Sequence, residues 1–104
     1  MNKVYVVNHT MQNLDTAKKF GQLKYITEGN IPLFKTDLMI HNLKEALIHF
    51  KENDYLLIVG PAWLSIIAAS MLFSKYSRLK FLIFDAKLQR YIVRHLDIDA
   101  YKLL

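Results

Sequence analysis

Runs of consecutive apolar residues alternate along this chain with segments whose apolar positions recur every three to four residues. Val4–Val7 (VYVV) is continuously apolar and rich in β-branched residues, the pattern of a strand covered on both faces, and it gives way to Asn8-His9-Thr10. Leu14, Ala17 and Phe20 then share one side of a short helix over Leu14–Phe20, which Gly21 is placed to end. Leu23–Thr27 (LKYIT) reads as a short strand and Glu28-Gly29-Asn30 as a turn. Beyond Ile31-Pro32-Leu33-Phe34, Thr36 or Asp37 is positioned to cap a helix, and an acid there suits the positive end of the helix dipole. Met39, Leu43, Leu47 and Phe50, joined by Ile40 and Ala46, form its apolar stripe. Lys44, Glu45, His49 and Glu52 fall elsewhere, and Asn53-Asp54 closes the element.

The second half is more apolar. Tyr55–Val59 (YLLIV) is the strongest strand signal, Gly60-Pro61 turns the chain, and Ala62–Tyr76 is expected to form a second long helix. Leu64, Ile66, Ile67, Met71, Leu72 and Phe73 leave that helix little polar surface, so it needs more than one partner surface. Lys75 and Arg78 are expected at its end, where cations suit the dipole. Phe81–Phe84 (FLIF) and Tyr91–Val93 (YIV) read as two further strands. The polar link Asp85–Arg90 is too short for a crossover helix, which makes them an antiparallel hairpin. Asp97–Leu104 reads as a short helix or a frayed end. The expectation is one α/β domain over residues 1–104. It has a small open, mostly parallel sheet of order about 2-1-3-4-5, helices on both faces and an antiparallel C-terminal edge strand.

Composition narrows the chemistry. The chain has 104 residues, no cysteine, and 14 Lys and Arg against 9 Asp and Glu. Without cysteine there is no disulfide framework, thiolate metal site or cysteine nucleophile. The start, MNKVYVVNHT, lacks the apolar length and cleavage site of a secretory signal, so a cytoplasmic setting is expected. Tyr55–Phe73 carries no charge and nears spanning length, but Gly60-Pro61 interrupts it and its pattern changes there from strand to helix; no membrane span is expected. The positive excess attracts anions in general. It is spread over Lys18-Lys19, Lys75–Lys80 and Lys87–Arg94, which suits ordinary solvated faces.

In an open parallel sheet, ligands bind beyond the carboxyl ends of the strands, where connections diverge to opposite faces. Here that crevice would be lined by Asn8, His9 and Thr10 on one side, and by Gly60, Pro61, Ala62, Trp63 and Ser65 on the other. Thr27, Glu28 and Asp85 end neighbouring strands. The helix start after Gly60 offers unpaired N–H groups that suit an anion. One Gly-Pro turn is nevertheless far from a phosphate-loop fingerprint, and Pro61 removes a donor. His9 has the acid–base range for catalysis if Glu28 or Asp85 orients it; a loop histidine bonded to backbone is the plainer reading. Trp63 suits stacking on a flat ligand or, more simply, sealing the core. His41 and His49 lie two helical turns apart, too far for a two-histidine metal pair, and His95 stands alone. No metal or cofactor is expected.

VYVVNHT, AKKFGQLKYITEGNI, NDYLLIVG and FLIFDAKLQRYIVRHL together resemble small uncharacterised α/β proteins encoded by bacteriophages and their bacterial hosts, over Val4 to about Leu96. The resemblance implies a viral or mobile-element origin, with the host cytoplasm or the virion as setting, and carries no catalytic residue across. The first functional expectation is a non-enzymatic interaction or assembly module, self-associating or bound to another protein, with Ile66, Ala69, Ser70 and Phe73 of the apolar helix at the interface. The alternatives are a nucleotide or small-anion binder at Asn8, His9, Thr10, Gly60, Trp63 and Ser65, and a nucleic-acid binder through basic segments interleaved with aromatics, such as Lys75–Lys80.

Overall fold

A computed structural model describes residues 2–31 and 35–101. Five strands, β1 (Lys3–His9), β2 (Gln22–Glu28), β3 (Tyr55–Leu57), β4 (Arg78–Asp85) and β5 (Arg90–Asp97), form one sheet in the order β2-β1-β3-β4-β5. The first four are parallel and β5 is antiparallel to β4. This is the expected open sheet, in the expected order.

The order dictates where the connections run. The step from β1 to β2 goes one way across the sheet, and the later parallel steps go the other, so right-handed crossovers send them to opposite faces. Helices α1 (Thr36–Leu47) and α2 (Ala62–Phe73) accordingly cover one face, packing on Tyr5, Val7, Leu56, Leu79 and Phe81. The other face, built on Val4, Val6, Leu57 and Leu82, is covered by a 3-10 helix over Asp15–Phe20 through Leu14 and Ala17. Gly21 ends that short helix and must be glycine. Its φ is +155°, and a Cβ there would stand 2.2 Å from the carbonyl oxygen of Asn2.

Several boundaries differ from the sequence pattern for local reasons. Neither Thr36 nor Asp37 caps α1: the cap residue is Lys35, no side chain among the described residues makes a cap hydrogen bond, and Asp37 acts only as an acid in the first turn. The same helix stops at Leu47, short of Asn53-Asp54. Phe50 keeps its place in the core from outside the helix, its ring 5.2 Å from Tyr5, while the Tyr76 hydroxyl donates to the Phe50 carbonyl. Buried Asp54 closes the loop by accepting the N–H groups of Lys3 and Lys51. The second long helix ends at Phe73 instead of Tyr76, because Leu72 O accepts the N–H groups of both Lys75 and Tyr76 in a tightened last turn. Arg78 thus belongs to β4 and not to a helix end.

The hairpin is longer than its apolar runs. Pairing extends from Asp85↔Arg90 to Arg78↔Asp97, and the terminal pair is an ion pair of 3.1 Å. Ile98–Tyr101 form a short 3-10 helix; the remainder of the expected tail element, residues 102–104, lies outside the described residues.

Candidate functional site

The carboxyl-end crevice is built by β1, β2 and the turn after β3. Strand β1 runs on through His9, so Asn8 is a buried strand residue and not a loop donor. The Thr27 hydroxyl lies 2.6 Å from Val7 O and 3.0 Å from Asn8 Oδ1, sharing one proton between two buried acceptors. Gly60, at φ +92°, passes against the Asn8 side chain so closely that a Cβ would stand 2.6 Å from the Asn8 Cβ. Asn8 and Gly60 thus do meet, as the switch-point argument expects, and in meeting they fill the space between them.

The other expected members disperse. The His9 ring stacks on Tyr25 of the neighbouring strand, with centroids 4.8 Å apart, and its carbonyl accepts the Gly29 N–H. Thr10 is exposed, its N–H bonded to Gln12 Oε1. No ion pair joins His9 to Glu28 or Asp85 among the described residues; Asp85 instead accepts the N–H groups of Lys87 and Leu88 in the β4–β5 turn. Trp63 is half-buried against the helix-side core. Ser65 is buried, and its hydroxyl is the buried side-chain polar atom without a partner among the described residues.

Ser65 belongs to a different concavity. Between α2 and the β4–β5 hairpin runs an apolar groove of about 450 Å³, with Ile58 and Phe81 among its lining, Ser65, Ile66 and Ala69 on the helix side, and Ile83 and Leu96 on the strands. Arg94 supplies its one charge. Ile66 is 65% exposed and Ile83 41%, high values for aliphatic side chains. Of the expected interface residues, Ile66 and Ala69 line this groove. Phe73 packs on Phe81 with centroids 6.1 Å apart, and exposed Ser70 donates its hydroxyl to Ile66 O.

The hairpin side of the groove is absent from the sequence reading. FLIF has the continuous apolarity of a strand covered twice, yet Ile83 and Phe84 are exposed. Register supplies the missing signal: Phe81, under α2, pairs with Arg94, and Leu79 pairs with Leu96, so alternate residues of β5 line the same face.

The basic side chains are divided among several surfaces: Arg78, Lys80 and His95 line one concavity, Lys3, Lys24 and His49 a second, and Lys44 and Lys75 a third. Lys80 stands over the Tyr55 ring at 4.2 Å on the face opposite α2, whereas Arg94 is on the α2 face. Lys18 pairs with Asp15 and Arg78 with Asp97. Among the described residues no group of three His, Cys, Asp or Glu side chains is placed to hold a metal ion, and His41 lies 3.5 Å from Glu45 on the same helix. No helix among them is long and apolar enough to cross a membrane.

The family model of phage Pam3 gp32-like protein matches residues 2–98. The chain belongs to that family. The match spans the whole sheet, so the phage resemblance of VYVVNHT and its companion segments is a family relationship. No curated protein and no solved structure matches the chain. Membership makes this a phage-related protein and assigns no role to Asn8, Gly60, Ile66 or any other residue.

Proposed function

We propose that this member of the phage Pam3 gp32-like family is a single-domain, non-enzymatic interaction or assembly module, acting in the host cytoplasm or the virion, that self-associates through α2 and the β4–β5 hairpin. The supporting observation is the apolar groove beside Ile66. Helix α2 contains no charged residue, and its outward positions Ala62, Ile66 and Ser70 recur every four residues along one stripe. Water is a poor neighbour for such a stripe, and a second copy presents the same apolar stripe across a two-fold axis.

The small-anion and nucleotide reading has less support. Asn8 and Gly60 occupy each other, His9 is stacked, Pro61 lacks an N–H, and the Leu64 N–H already bonds Pro61 O. A nucleic-acid surface has less support too, because Lys80 and Arg94 stand on opposite faces of the sheet.

The test is the oligomeric state of the purified chain by light scattering, with Ile66→Asp beside it. Burying one Ile is worth roughly 1.5–3 kcal/mol, and two-fold symmetry counts it twice, so the substitution weakens association about a hundredfold or more. A chain that is monomeric at high concentration contradicts the proposal.

A further inference from the structure

A second apolar crevice lies on the other flank of α2, between the C-terminal ends of the two long helices. Leu47, Ile48, Met71 and Leu72 line it, its volume is about 350 Å³, and Lys44, Lys75 and Ser74 complete its rim. Ile48 is 70% exposed beside it.

The two lysines are free of structural duties there. Basic residues at helix ends ordinarily serve the terminal carbonyls. Here most of those carbonyls are taken by backbone: Lys44 O by the Ile48 N–H, Ala46 O by His49, Leu47 O by Phe50, Ser70 O by Ser74, and Leu72 O by both Lys75 and Tyr76. Met71 O receives the Ser74 hydroxyl. Neither Lys44 nor Lys75 has a carboxylate at ion-pair distance among the described residues. Lys75 rests 5.3 Å from the Tyr76 ring, an exposed contact that yields readily to a stronger one. The crevice lining includes no acid, and Glu45 of α1 is directed to His41. A positive rim therefore stands over an apolar floor.

The shape selects between two anionic partners. A bilayer is entered by a protruding apolar surface, whereas a cleft between two helix ends accepts an inserted side chain. We propose that this crevice docks a segment of a partner protein that inserts a large apolar side chain between α1 and α2 and sets acidic residues against Lys44 and Lys75. This surface shares no residue with the groove beside Ile66.

The experiment is a random-peptide display selection on the full chain, followed by fluorescence anisotropy with a synthetic peptide of the enriched consensus. The expected consensus is a large apolar residue flanked by Asp or Glu. Its affinity should fall about tenfold or more on the double substitution Lys44→Glu/Lys75→Glu and again on Ile48→Asp, and should weaken with added salt. All three positions are exposed, so the variants keep the fold, which a thermal melt checks. Ile66→Asp should leave peptide binding unchanged, which separates this outcome from the fate of the self-association reading. A selection that returns no acidic-apolar peptide overturns the proposal, as does a consensus indifferent to the three substitutions. Retention of the chain on anionic vesicles through Lys44 and Lys75, without peptide binding, overturns it in favour of a membrane surface.

Discussion

The carboxyl-end crevice and the groove beside α2 are both concavities on one small sheet, and they dispose of their side chains in opposite ways. In the crevice, short polar groups consume one another: Thr27 bonds Val7 and Asn8, Asn8 fills the space under Gly60, and His9 lies on Tyr25. In the groove, the aliphatic side chains of Ile66 and Ile83 are exposed, and the Ser65 hydroxyl has no partner among the described residues. Sheet topology supplies a place for a ligand at the switch point, but side-chain packing decides whether the place is open. Here Asn8 fills the space under Gly60 at the switch point, and the aliphatic surface left exposed is a helix flank.

Gly60→Ala should have the largest effect. The left-handed φ and the overlap with the Asn8 Cβ together should cost about 3 kcal/mol or more, read as a drop in the urea midpoint. A neutral result would mean that the crevice has spare room. Thr27→Val removes a hydroxyl that two buried acceptors share and should cost about 2 kcal/mol in the same assay. The groove predicts the reverse sign. Ser65→Ala deletes an unbonded buried hydroxyl and should raise stability by about 1 kcal/mol; a loss of stability would show that the hydroxyl has a bond in solution.

The mildest effect is alkaline. Burial raises the Tyr91 pKa above its ordinary value of 10.0; burial, and then the nearby Asp54 charge, raises that of Tyr5. The folded state holds these protons more tightly than the unfolded one. Their contribution is therefore complete below pH 10 and is lost as pH rises through the folded values. Denaturation midpoints should be flat up to about pH 9 and then fall, with a shallower fall in Tyr91→Phe. An equal slope in that variant would place Tyr91 in water.

Much of the fold was legible because element order constrains a parallel sheet so tightly. The short link Asp85–Arg90 made β5 antiparallel, and Gly60-Pro61 marked the start of α2 at Ala62. Ends were less legible where tertiary pairing decides them. Arg94, His95 and Asp97 are polar positions beyond the apolar run YIV that register with β4 holds in a strand, and Phe50 fits the helical spacing of α1 yet reaches the core after the helix has ended. The Asn8–Gly60 meeting followed from topology alone. The directions of His9 and Ser65 did not, because neighbours in space, unseen in a sequence, turn one onto Tyr25 and place the other beside Ile58 and Phe81. The hairpin wall of the groove needed the register of β4 with β5, which apolar runs do not encode.

The most direct measurement is native mass spectrometry of the chain and its Ile66→Asp variant at matched concentrations. A discrete oligomer for the unaltered chain and a folded monomer for the variant, with matching far-UV circular dichroism spectra, is the predicted result. An unaltered chain that flies only as a monomer, or an oligomer that Ile66→Asp leaves intact, would contradict the assignment of α2 and the β4–β5 hairpin as the interface.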